Sequence, residues 1–154
     1  MNGNSYGNGR PNNGYGNRYP QRNQPVEPVR RAAEIDEKNF VDTAEKVMQD
    51  MKNFKQELTT SKIRNILSMV NNLYDDVRLD HSKVLTAEMQ SRIQYLRLHL
   101  AYESGRDKAV KQLTDKADLM NFLKTIKDSR ERLLLFCHYM EALVAYHKFY
   151  DGKD

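Results

Sequence analysis

The stretch Leu133-Leu-Leu-Phe-Cys-His-Tyr-Met-Glu-Ala-Leu-Val-Ala-Tyr-His-Lys-Phe-Tyr150 limits what this chain can fold into more than any other. On a helical wheel its apolar and aromatic side chains take almost the whole circumference, and its only full charges, Glu141 and Lys148, share one narrow strip. A helix of that kind must be buried, so the rest of the chain is expected to wrap around it. It cannot cross a bilayer: its longest run free of full charge, Leu133 to Met140, falls far short of the roughly 18 to 20 residues a span requires. Asp128, with Glu131 three residues later, reads as a capping box that starts the helix.

Composition changes sharply near residue 31. Residues 1–31 hold all four prolines, five of the seven glycines and the repeated Tyr-Gly-Asn at Tyr6 and Tyr15, so they cannot assemble a core. The expected organisation is a disordered tail over 1–31 and one helical domain over 32–154. Five arginines and a single acid, Glu27, lie in the tail, whereas the remainder balances 20 basic against 20 acidic residues. The pI of about 9.1 is therefore a property of the tail. A basic surface on the folded part has to come from segregation of its charges. The tail's arginines and tyrosines also suit phosphate contact and base stacking, although a plain flexible extension explains them with fewer assumptions. Cys137 is the only cysteine, which excludes an intrachain disulfide and a paired-thiolate zinc site and suits a reducing cytoplasm. No apolar run marks the amino terminus as a signal peptide or membrane anchor.

Helical periodicity accounts for the rest. Phe40, Ala44, Val47, Met48, Met51, Phe54 and Leu58 form one stripe, predicting an amphipathic helix over 34–58. The hydroxyls of Thr59, Thr60 and Ser61 open a second helix, with the stripe Ile63, Ile66, Leu67, Val70, Leu73, Tyr74 and Val77. Lys62 and Arg64 place two cations beside its exposed N–H groups and positive dipole end, an arrangement equally suited to a phosphate and to an ordinary cap. After a loop over 78–85, Thr86 caps a third helix that Gly105 is expected to stop. This helix has two apolar faces, Met89, Ile93, Leu96 and Leu100 on one side and Tyr95, Leu98 and Tyr102 on the other, with Arg92 and Arg97 between them. Two faces require either a central position or a partner subunit. Beyond Gly105 the stripe jumps, which predicts a break near Thr114-Asp115 with a short helix before it and a longer one ending at Lys127. No alternation of period two persists, so the fold class is all-α, a compact bundle of five to six helices behind the tail.

The sequence holds no constellation for catalysis. His138 and Glu141 stand three apart on one helix, yet a di-metal carboxylate site needs a second such pair and further glutamates. Cys137 lies on an apolar helix, where burial disfavours its thiolate. Adjacent carboxylates such as Asp75 and Asp76 diverge by about 100° on a helix. The residues thus point to a non-enzyme without metal or cofactor.

Three segments carry more identity than pattern: Leu58-Thr-Thr-Ser-Lys-Ile-Arg-Asn65 with Leu73-Tyr74 downstream, Tyr102-Glu-Ser-Gly-Arg-Asp-Lys-Ala-Val110, and Glu141-Ala-Leu-Val-Ala-Tyr-His-Lys-Phe-Tyr150. In this order and spacing they resemble the small subunit of the type III-A CRISPR effector, the Csm complex, over about residues 40–154. The resemblance implies a non-catalytic, cytoplasmic RNA-binding subunit in antiviral defence, present with further copies of itself, with backbone subunits and with a large polymerase-like subunit. Such subunits form an inner filament beside the guide RNA–target RNA duplex, held through phosphates while base pairing supplies specificity. On that basis Lys62, Arg64, Arg106 and Lys108 are the expected RNA contacts, and Arg97 and Lys55 follow from helix-face position. Tyr95, Leu98 and Tyr102 are the expected protein interface. The competing expectation is a helical protein–protein adaptor whose basic residues are merely solvated.

Overall fold

The computed structural model describes residues 2–3, 29–55 and 57–150. Among them six helices follow one 3-10 turn, Ala32–Glu34: α1 (Phe40–Met51), α2 (Thr60–Arg78), α3 (Ala87–Arg106), α4 (Lys108–Lys116), α5 (Leu119–Ile126) and α6 (Arg130–Phe149). The fold is all-α. No helix among the described residues is long and apolar enough to cross a membrane. The expected disordered tail lies outside the described residues over 4–28.

The helix predicted to organise the chain does so. Leu133, Phe136, Tyr139 and Leu143 of α6 have no exposed surface, and α6 is enclosed by α1, α2 and α5. Its start differs from the capping box expected at Asp128. Ser129 is the N-cap, accepting from the Arg132 N–H at 3.2 Å. Asp128 is committed elsewhere, since its carbonyl takes the Leu85 N–H at 2.8 Å while Arg130 N–H reaches the Lys83 carbonyl. This short antiparallel bridge ties the α2–α3 loop to the start of α6.

Three other boundaries differ from expectation, each because of a polar interaction, two of them local and one made across the fold. The first helix is shorter than 34–58, because the Asp36 carboxylate accepts from the N–H groups of Lys38 and Asn39 and holds a turn before α1. Gly105 does not stop α3, which continues to Arg106, and Asp107 ends it by capping α4 through the N–H groups of Ala109 and Val110. The break expected at Thr114-Asp115 falls instead at Asp118, in the left-handed region at φ 57°, and the helix after it is short. Thr114 is not a cap; it is buried and hydrogen-bonded to Ser104 at 2.9 Å. A short aspartate tolerates the left-handed conformation better than most side chains. Here its carboxylate also accepts from Ala32 N–H at 2.9 Å and Asn121 Nδ2 at 2.8 Å and stands 3.8 Å from Arg31.

That cluster fixes where the tail leaves the fold. Arg132 reinforces it by donating to the carbonyls of Ile35 and Ala32 at 2.9 and 3.1 Å. We expect deletion of residues 1–28, which spares these contacts, to shift the thermal midpoint by no more than a degree or two, as for changes that remove no buried contact. Differential scanning calorimetry of the two chains checks this, and a collapse of the transition would place the tail in the core.

Helices α1, α2, α3 and α6 run side by side. Phe40 at the start of α1 lies against His138, and Tyr150 just past the end of α6 bonds Glu45 and Gln49, so α1 and α6 run parallel. Tyr74 meets His138 and Thr60 meets His147, so α2 runs against α6. Arg92 pairs with Asp76 and Lys62 with Asp107, so the α2–α3 pair is antiparallel as well. One end of the bundle therefore gathers the close of α1, the α1–α2 loop, the start of α2, the α3–α4 junction and the close of α6.

Candidate nucleic-acid interface

The start of α2 is built from a hydroxyl, a histidine and a lysine. Thr59 caps the helix by accepting from the Lys62 N–H. His147, buried on α6, reaches the Leu58 carbonyl with Nε2 and stands 3.5 Å from the Thr60 hydroxyl through Nδ1. The carbonyl can only accept, so Nε2 carries the proton and Nδ1 is left to accept from Thr60. Lys62 Nζ donates to the Glu57 carbonyl at 2.7 Å and pairs with Asp107 Oδ2 at 3.1 Å. The ion pair joins the start of α2 to the cap of α4.

Asp107 thus serves two helices. Burial pushes its carboxyl upward and is the largest single influence, but the Val110 N–H, the Lys62 side chain and the Ala109 N–H together outweigh it. They hold the group below the ordinary aspartate value. It stays ionised at neutral pH and anchors Lys62.

The six basic residues expected to contact RNA separate on this geometry. Lys62, Arg106 and Lys108 come together at the α2–α4 junction, and Lys55 lies exposed in the α1–α2 loop at the same end. Arg64 is exposed on the other flank of α2, as the roughly 160° divergence from Lys62 requires. Arg106 is 3.5 Å from Glu103 and lies over the Tyr102 ring at 5.4 Å. Arg97 stands nine residues before Arg106, about 14 Å along α3, outside this group. Within segments 52–64, 105–108 and 147–150, seven Lys and Arg face two acids. At the opposite end, segments 34–40, 75–88 and 126–132 hold nine acids against six Lys and Arg. The balanced domain is polarised along its axis.

The second feature is the outer face of α3. Ile93, Leu96 and Leu100 are buried, whereas Tyr95, Leu98 and Tyr102 are 69%, 66% and 60% exposed. The two-faced helix is therefore not central to the bundle, and its outer stripe lies open.

A family model described as Csm2 Type III-A matches residues 34–153. The chain belongs to the Csm2 family. It is similar to the Streptococcus thermophilus "CRISPR system Cms protein Csm2", 45% identical over 78% of this chain and 98% of the relative. Proteins of the same name from Mycobacterium tuberculosis and Enterococcus italicus are 44% and 37% identical, covering 64% and 63% of this chain and 79% and 71% of the relatives. As a Csm2-family small subunit it is a structural component of the type III-A CRISPR complex, alongside the other Csm subunits.

Other candidate groups fall outside the basic end. His138 packs between the rings of Phe40 and Tyr74 at 6.2 and 5.7 Å. Burial pushes the Cys137 thiol up to about 12, so it carries no thiolate at neutral pH. His147 carries no metal-site spacing in the sequence, and its role is the buried contact beneath the start of α2. Its signal was present, a polar side chain on the buried side of the last helix.

Proposed function

We propose that this chain is the non-catalytic RNA-binding subunit of its Csm complex in the cytoplasm, holding the guide RNA–target RNA duplex by phosphate contacts in antiviral defence. The observation that carries this reading is the basic end of the bundle, where segments 52–64, 105–108 and 147–150 hold seven Lys and Arg against two acids, with Glu103 paired to Arg106 beside them, in a domain of balanced charge. Phosphates bind such a surface whatever their sequence, and pairing with the guide supplies specificity. Arg64, Lys108 and Lys55 offer their charge to solvent. Lys62 and Arg106 share theirs with Asp107 and Glu103. Arg97 is the outlying contact. The open stripe of Tyr95, Leu98 and Tyr102 supports a docking face for a neighbouring Csm subunit or a further copy of this chain. That stripe is also what favours the adaptor reading.

The discriminating measurement is target-RNA binding by the assembled complex across salt concentrations. Arg64→Glu, Lys108→Glu and Lys62→Gln are the informative changes; glutamate at 62 would face Asp107 and confound binding with repulsion. Each lost contact should lower the slope of log affinity against log salt by roughly 0.7 to 0.9, equally for unrelated targets with matched guides. Arg78→Glu, at the opposite end, should leave the slope unchanged. Intact complexes with unchanged slopes in all variants would overturn RNA contact at this end. Loss of the subunit from the complex would make the surface a protein interface instead.

A further inference from the structure

Among the described residues, Phe149 packs on no part of the core that accounts for it. It is 71% exposed at the end of α6, yet it is held in place by two neighbouring rings: Tyr150 at 5.0 Å and Tyr146 at 6.0 Å, both close to perpendicular. The Tyr150 ring is itself anchored, and Tyr146 stacks on it at 6.3 Å. Tyr150 donates to Glu45 at 2.9 Å, accepts from Gln49 Nε2 at 2.9 Å and lies 5.9 Å beneath the Lys52 ammonium. The result is one exposed aromatic plane on a rigid mount at the basic end of the bundle.

We infer that Phe149 is a stacking platform for a single unpaired RNA base, with Lys52, held over the adjoining Tyr150 ring, placed to meet a flanking phosphate. The inference rests on the RNA-binding reading above and adds to it a preference for unpaired nucleotides, because a base inside a duplex has no free face to offer. Single-strand binding surfaces combine these two ingredients, an aromatic face and a cationic track, and stacking tolerates any base. A protein partner fits less well. Helix docking reads a row of apolar residues at i, i+3, i+4 and i+7, as the outer face of α3 presents, whereas Phe149 offers one ring. Among the described residues, Asp42 and Glu45 of α1 act on Tyr146, and Glu45 is already engaged by the Tyr150 hydroxyl.

The test uses the full chain with two probes, a single-stranded RNA of about 12 nucleotides and a blunt duplex of the same length. Phe149→Ala should weaken single-strand binding about 5- to 100-fold while leaving duplex binding within about twofold. Phe149→Leu should behave like alanine, since it restores apolar area without a π-face. Phe149→Trp should bind at least as tightly as the parent. The chain has no other tryptophan, so quenching of its fluorescence on binding reports the stack directly. The inference is overturned if alanine costs nothing, if leucine rescues, if both probes lose affinity equally, if the parent binds the duplex alone, or if the variants change the sedimentation coefficient. A parent chain that binds neither probe removes the RNA reading as a whole. Duplex binding with a normal salt slope and indifference at Phe149 removes only the platform.

Discussion

Phe122→Ala is expected to destabilise the protein by about 3 to 5 kcal/mol, the range for truncating a large buried aromatic residue. That should lower the thermal midpoint by roughly 10 to 20 °C. Phe122 has no exposed surface and sits where α6 closes on α5: Phe136 meets it edge-on at 5.3 Å, Tyr139 stacks at 5.8 Å, and the Arg132 guanidinium lies 4.5 Å above its ring. Truncation therefore leaves a cavity in the core and removes the aromatic face beneath a half-buried cation. Arg132 is the group that holds the Ala32–Ile35 segment, so the damage should spread to the base of the tail. Urea denaturation with matched m-values measures it. Leu143→Ala, on α6, should cost about 2 to 5 kcal/mol. A loss at Phe122 below about 0.5 kcal/mol, the range of surface changes, would mean that the core does not close on this ring.

The helices themselves were legible because burial imposes a period that a single sequence displays. The stripe of α2 and the all-round apolarity of α6 both match the buried faces, and the open stripe of α3 stood out for having no use inside a small bundle. Their ends were less legible. Several side chains in each stretch can cap a helix, and tertiary bonds choose among them. Asp128 and Ser129 are both good caps, and the choice falls to Ser129 because the Asp128 carbonyl is taken by Leu85, far away in sequence. Asp118 ends α4 because its carboxylate has the Ala32 N–H to satisfy, 86 positions distant. No local window contains that information.

The candidate site divides the same way. Lys62 and Arg64 were visible as cations at a capped helix start, whereas Arg106 and Lys108 came into view only through the family resemblance, with the helix end placed at Gly105. That Asp107 would draw Lys62 onto it depends on how α2 and α3 are paired. The consequence is functional, because an anchored lysine presents less charge to an RNA than its sequence position suggests, whereas Arg64 presents all of its own. The polarisation of the bundle is likewise invisible to net charge. It appears only when the helix directions bring three separate stretches of chain to one end.

His147→Leu tests whether the start of α2 is held from beneath, and the expected cost is about 2 to 5 kcal/mol. Leucine fills much of the imidazole's space but cannot bond, so the Leu58 carbonyl and the Thr60 hydroxyl, both buried, lose their partner together. Each orphaned group costs about 1 to 3 kcal/mol. His147→Gln should recover part of the loss, because a side-chain amide can still donate to the Leu58 carbonyl. The effect should also be local: amide hydrogens at the first turn of α2 should exchange faster than those near its middle, since Thr59 would cap a helix no longer tied to α6. With that turn loosened, Arg64 loses its fixed position. The leucine variant should then show a shallower salt dependence of RNA binding even though no charge has been removed, which separates a positioning role from a direct contact. A stability change under about 0.5 kcal/mol, with unaltered exchange at the first turn of α2, would show that Thr59 and Lys62 hold the helix start unaided.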